Sequence, residues 1–270
     1  MDSIAKTSLL TAAMRAVETN RTEEQGRLFV DPYAELLAGD EGKDLLQKAI
    51  AASGDQPAIA IRTAYMDTKI NQAVQNGVRQ IVMLAAGMDT RAYRLPFPEG
   101  TTIFELDRKE VLNYKQDKLS KAQLHCQLHR IPVDLATDWV PHLLQAGFKK
   151  EVPTLWLVEG LLMYLEESQV MSVFQKINSL ASTKDYMLFD ILTQTLLDAP
   201  YMVNQLQFLK SIGAPWKFGT NEPEMMMKSL GWDAVATQAG EFAPTRWPFP
   251  TAPRHIPNVP RGFYMEARKV

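Results

Sequence analysis

The sequence predicts an α/β fold: a mostly parallel sheet with a helical extension before it and a helical segment late in the chain. Three observations carry this. From residue 80 to residue 190, short apolar runs alternate with helical stretches, which is the pattern of βαβ units. The first 75 residues look helical throughout, with apolar side chains at helical spacing. Leu192 to Phe218, rich in Leu, Met and aromatic residues, then reads as helix and interrupts the alternation.

The elements follow in order. Ser8 to Thr19, Ala34 to Ala52 and Ile59 to Val74 are the helices of the extension, and Asp31-Pro32 supplies a start signal with proline in a first turn. Gln80 to Leu84 is a buried strand that runs into the tight turn Ala85-Ala86-Gly87. Thr101 to Leu106 is a second strand, followed by a helix from Lys109 to Lys121. Leu128 to Val133 is a third, Thr154 to Val158 a fourth with a helix over Glu167 to Leu180 after it, and Tyr186 to Asp190 a fifth. Trp232 to Ala236 and Gly262 to Ala267 are two further strands, separated by the proline-rich loop Pro244 to Pro260. The chain shows no internal repeat and no low-complexity tract.

Composition limits the function classes without choosing one. The 270 residues carry 29 Lys+Arg against 31 Asp+Glu, a formal charge of −2, which argues against a dedicated nucleic-acid binder. No apolar run approaches the roughly 20 residues of a bilayer span. The start, Met1-Asp2-Ser3-Ile4-Ala5-Lys6, lacks the layout of a secretory signal. The expectation is a soluble, cytoplasmic protein with no membrane or nucleic-acid partner. The one cysteine, Cys126, reads as a small hydrophobe. No Cys/His cluster has metal-site spacing, so no metal is expected.

Open parallel sheets bind ligands at the carboxyl ends of their strands, so the residues just after each apolar run are the informative ones. After the first run, Ala85, Ala86 and Gly87 are small enough for close approach to the backbone, and Gly87 tolerates positive φ. Twenty positions later, Glu105-Leu106-Asp107 places an acid where related folds hold ribose hydroxyls. After the third run, Asp134 can accept from an adenine amino group while Leu135 packs on the ring. After the fourth, Glu159-Gly160 leads into an apolar turn carrying Tyr164. Together these residues describe an adenosine site.

With these residues assembled, the chain resembles the leucine carboxyl methyltransferase family, and more closely its bacterial branch of S-adenosylmethionine-dependent methyltransferases and polyketide O-methyltransferases. The resemblance is carried by Leu84-Ala85-Ala86-Gly87-Met88-Asp89-Thr90-Arg91-Ala92-Tyr93-Arg94-Leu95, by Phe104-Glu105-Leu106-Asp107, by Asp134-Leu135, and by Glu159-Gly160-Leu161-Leu162-Met163-Tyr164-Leu165. Leu28 to Ala34, Arg62-Thr63, Pro153-Thr154 and Pro260 to Phe263 also fit. The match fades after Asp190. It implies a Rossmann-like class I methyltransferase sheet, with a helical extension over 1–75, a cofactor core over 76–191, a helical lid over 192–230 and sheet-completing strands over 231–270.

The resemblance also implies site roles, with S-adenosyl-L-methionine as cofactor. Arg62 would pair with the methionine carboxylate, and Ala85, Ala86 and Gly87 would line the backbone cradle. Asp107 would hold the ribose, Asp134 and Leu135 the adenine, and Glu159 would approach the methionine amino group. The family usually has glycine where this chain has Ala85, a change that a negative φ would accommodate. Methyl transfer to a carboxylate of a small metabolite or peptide C-terminus needs no general base, because the acceptor is already ionised. Tyr164 is the expected hydrogen-bond donor, and Arg246 or Arg254 a possible cation. Phe208, Trp216 and Phe218 in the segment Tyr201 to Phe218, with Met225, Met226 and Met227, would roof the pocket. A phenol or enol acceptor would instead want a base, with His255 the candidate. An NAD-dependent oxidoreductase and a non-catalytic relative are the rival readings.

Overall fold

The structure, a computed structural model, describes residues 3–54 and 57–270; Met1, Asp2, Asp55 and Gln56 of the expected 1–75 extension lie outside the described residues. Its centre is a seven-stranded sheet in the order β3-β2-β1-β4-β5-β7-β6. The strands are β1 (Gln80–Leu84), β2 (Thr102–Asp107), β3 (Gln127–Pro132), β4 (Thr154–Val158), β5 (Tyr186–Leu192), β6 (Trp232–Gln238) and β7 (Gly262–Lys269). The first five are mutually parallel, whereas β7 runs antiparallel to both β5 and β6. β1 and β4 are buried along their whole length, which is why both read as unbroken apolar runs.

The period of two along the strands divides the core into two layers. Ile81, Met83, Leu155 and Leu157 face a cluster shared with α1 (Ser3–Thr19), α2 (Ala34–Ser53) and α3 (Ala58–Gln75). Val82, Leu84, Trp156 and Val158 face the opposite cluster, built on Trp139, Leu143, Val170, Phe174 and Ile177. Those residues come from or adjoin the short α6 (Val140–Gln145) and α7 (Glu167–Leu180). Between the strands lie a one-turn α4 (Arg91–Arg94) and α5 (Lys109–Lys118).

Two helical expectations need correction. Residues 20–33 are turns and extended chain rather than helix; Gly26, at φ +71°, closes a turn in which Gly26 N–H donates to the Glu23 carbonyl. Leu192 to Phe218 is likewise not one helix. It breaks into α8 (Gln194–Leu197), a 3-10 turn over Pro200–Met202, and α9 (Val203–Ser211). Pro200 removes a donor, and Gly213, in left-handed conformation, ends α9 two residues before Pro215. The chain then forms α10 (Pro223–Ser229), β6, α11 (Ala239–Phe242) and the long loop that leads to β7. No helix among the described residues is long and apolar enough to cross a membrane.

Candidate functional site

The strand order reverses between β1 and β4, whose next elements lie on opposite sides, and the main cleft opens at that point. Its volume is about 490 Å³, within the range of small-molecule sites. Arg62, Ala85, Ala86, Gly87 and Asp107 line it, as do Asp134, Leu135, Glu159, Tyr164 and Trp216. Residues from four strand ends, from Ala85 to Tyr164, thus meet in one cavity with Arg62 and Trp216.

The turn after β1 is tight. Gly87 is at φ +48°, and a Cβ there would meet the Cβ of Ser8 at 3.0 Å. Gly87 N–H donates to Asp107 Oδ2 at 2.6 Å, and Arg108 N–H donates to Asp107 Oδ1 at 2.7 Å. Each oxygen of this carboxylate thereby keeps acceptor capacity for a ligand hydroxyl. Burial pushes the Asp107 carboxyl above the usual range, although the two backbone bonds oppose it. Glu105, two residues earlier, is fully buried and accepts from Lys115 Nζ at 2.8 Å. Of the two acids at this strand end, Asp107 is the one that lines the cleft. Ala85 departs from expectation: its φ is +55°, not negative, so the alanine sits in the left-handed region that favours glycine.

An ionic network forms the next wall. Arg62 Nε donates to Glu159 Oε1 at 2.9 Å and Nη1 to Asp190 Oδ2 at 2.9 Å. Arg91 Nη1 reaches the other Glu159 oxygen at 2.9 Å and also pairs with Asp89, while its Nε donates to Asp67 Oδ1 at 2.6 Å. Arg94 forks onto Asp67 at 2.6 and 2.9 Å. Burial alone would raise the Glu159 carboxyl, but Arg91 and Arg62 hold it below the usual carboxylate range. Glu159 is therefore ionised at neutral pH and faces the cleft as an acceptor.

At the other end, Asp134 folds into an Asx turn, accepting from Ala136 N–H at 2.9 Å, with Leu135 beside it. Tyr164 ends a 3-10 turn over Leu162–Tyr164. That turn is tied to the late segment, because Lys217 N–H donates to the Met163 carbonyl at 2.6 Å. Trp216 is thereby brought to the cleft, and its indole Nε1 is buried with no hydrogen-bond partner among the described residues.

The remaining substrate candidates are placed elsewhere and are corrected here. Phe208, on α9, packs against the extension's core cluster and does not line the cleft. Arg246 pairs with Glu18 at 2.8 Å and binds the Gly26 carbonyl, outside the cleft. Arg254 pairs with Glu224, donates to the Ala236 carbonyl at 2.5 Å and stacks on Phe263. His255 is exposed in the 244–260 loop. Met225 is 65% exposed, while Met227 is buried in the opposite cluster; neither roofs the cleft. Cys126 is half-buried, and burial pushes its thiol up to about 12.

What does cover the cleft is α1. Ser8, Thr11 and Arg15, at helical spacing, present a polar stripe to it. Arg15 Nη2 donates to the Met88 carbonyl at 2.6 Å and its Nε to Asp31 Oδ2 at 2.9 Å. Sequence reasoning missed this stripe, and also Asp67, Asp89, Arg91, Arg94 and Asp190. Extending the strand-end argument to the fifth run would have found Asp190.

Comparisons with known proteins bear on the family and the fold. The model of a family described as leucine carboxyl methyltransferase matches residues 8–178. A protein named "Putative S-adenosyl-L-methionine-dependent methyltransferase", from Mycobacterium sp. (strain KMS), is 37% identical over 200 residues; the match covers 68% of this chain and 66% of the relative, just under two thirds of its length. A crystal structure described as a putative methyltransferase from Thermobifida fusca YX superposes with a TM-score of 0.62 at 16% identity, covering 87% of this chain and 91% of that one. Human N-acetylserotonin methyltransferase in complex with SAM superposes with a TM-score of 0.53 at 14% identity, over 96% of this chain and 65% of that one. At such identities the structural likeness speaks for the fold, which is the Rossmann-like one expected.

Proposed function

The chain belongs to the leucine carboxyl methyltransferase family, whose members are S-adenosyl-L-methionine-dependent methyltransferases, and we propose that its cleft holds this cofactor and methylates a carboxylate of a small metabolite or peptide C-terminus. The observation that carries the reading is the meeting of Gly87, Asp107, Asp134, Glu159 and Arg62 in one cleft. The residues fit the cofactor. Asp107 accepts from the ribose hydroxyls with the lone pairs its two backbone bonds leave over. Asp134 accepts from the adenine amino group and Leu135 covers the ring. Ionised Glu159 takes the methionine amino group and Arg62 the methionine carboxylate. Gly87, against Ser8, gives the ligand a backbone surface that a side chain would fill.

When bound, S-adenosyl-L-methionine supplies an electrophilic methyl group on a sulfonium. The chain's own task is to place the acceptor in line and keep water out, and such placement is worth roughly 7–11 kcal/mol. A carboxylate acceptor is favoured by the lining: among the described residues no histidine and no cysteine faces the cleft, and an ionised carboxylate has no proton to give up. Tyr164 and Trp216 are among the donors that line the cleft and can orient it. His255, on which a hydroxyl acceptor would rely, is exposed outside the cleft.

The test is transfer of a labelled methyl group to panels of carboxylic acids and phenols between about pH 6 and 9. The expected product is a base-labile ester formed at a rate that is flat with pH. Labelling of phenols alone, with a rate that climbs towards the phenol pKa of about 10, would discard the carboxylate reading. Binding of NAD in place of S-adenosyl-L-methionine would discard the methyltransferase reading as a whole.

A further inference from the structure

Asp190, in β5 two residues before the strand ends, is 6% exposed, and its two oxygens serve two neighbours. Oδ2 accepts from Arg62 Nη1 at 2.9 Å, and Oδ1 accepts from Gly160 N–H at 2.6 Å. Gly160 has φ +67°, and a Cβ added there would sit 3.2 Å from Arg62 Nη2. The guanidinium therefore lies directly against the turn that follows β4. A guanidinium is a rigid planar fork. With Nε held by Glu159 and Nη1 held by Asp190, its plane is fixed, and with it the direction in which Nη2 points. One carboxylate thus sets both the arginine and the turn carrying Glu159, from a strand that contributes nothing to the adenosine half of the cleft.

Resting on the function proposed above, we propose that Asp190 is a positioning residue for the methionine end of the cofactor, acting through Arg62 and Gly160. Its removal should be felt by ligands that carry the amino-acid chain and not by ligands that lack it. A purely structural role would affect both kinds alike.

Calorimetric titration of the full chain with S-adenosyl-L-methionine and with methylthioadenosine, which lacks the amino-acid chain, separates these outcomes. Asp190→Asn keeps the shape but replaces the charged partner of Arg62. The expected result is at least about ten-fold weaker binding of S-adenosyl-L-methionine, the scale of a lost hydrogen bond between charged groups, with methylthioadenosine within about two-fold. In an Arg62→Gln background the same change should add no further loss. Gly160→Ala, which crowds Arg62 by a separate route, should reproduce the selective loss and serves if Asp190→Asn does not fold. Equal losses for the two ligands, or no loss for either, would overturn the inference while the proposed function stands. Failure of the unsubstituted protein to bind either ligand would overturn both.

Discussion

Ala85 sits at φ +55° in the turn that begins the cleft, a conformation that costs an L-residue roughly 1–2 kcal/mol. Glycine would remove that strain, at the expense of about 0.5–1 kcal/mol of extra unfolded-state freedom. The strain is the larger effect, so Ala85→Gly should stabilise the protein by about 0.5–1 kcal/mol. For a chain of this size that is a rise of about 1–4 °C in Tm, readable by calorimetry. An unchanged or lower Tm would mean that the turn relaxes around the alanine. The sequence showed that this position departs from its family, but not the sign of its φ. That sign depends on how Ala86 and Gly87 are drawn towards β2, where Ala86 N–H donates to the Leu106 carbonyl at 3.3 Å and Gly87 N–H donates to Asp107 at 2.6 Å.

At the scale of elements, α5 is pinned beneath β2 by Lys115 and Glu105, which are 0% and 1% exposed and 2.8 Å apart. Burial raises the Glu105 carboxyl and Lys115 opposes that rise; Arg130, with Nε 3.6 Å away, is the only other cation in its reach among the ion pairs of the described residues. Lys115→Met would strand the acid and should cost about 3–5 kcal/mol, whereas Glu105→Leu/Lys115→Met should come within about 1–2 kcal/mol of the parent. Urea unfolding of the three proteins decides this, and a double variant as unstable as the single one would refute it. No local signal announces such a pair. Gln80–Leu84 and Thr154–Val158 were legible because buried parallel strands must be apolar on both faces, and the acids that end the strands were legible by position. Asp67 and Arg91 were not, because their meaning lies in partners 24 and 68 positions apart along the chain. The short α6 escaped because six residues, with proline near the start, are too few to show a period. The late segment reads as one helix because its Leu and aromatic content hides the breaks at Pro200 and Gly213.

Over the whole molecule, the cleft is closed by parts from both ends of the chain. The helix α1 lays Ser8, Thr11 and Arg15 over it, and the C-terminal loop grips α1 from behind. Glu18, 2% exposed, accepts Arg246 Nη1 at 2.9 Å and Nη2 at 2.8 Å. It also accepts Leu28 N–H at 2.7 Å and lies 3.3 Å from Arg21 Nε. Removing Arg246 leaves a buried carboxylate with its strongest pairing gone, a loss of about 1.5–3 kcal/mol by the worth of hydrogen bonds between charged groups. Because the bonds join α1 to the loop and touch none of the sheet, the loss should appear as local opening. Arg246→Ala is therefore expected to speed amide exchange along α1 by roughly 10- to 150-fold, while the amides of β1 and β4 keep their protection. Affinity for S-adenosyl-L-methionine should fall with it, since the roof over Gly87 loosens. Uniform acceleration across the sheet would show the contact to be part of the global core, and unchanged exchange in α1 would show that Arg21 and Leu28 hold Glu18 without it.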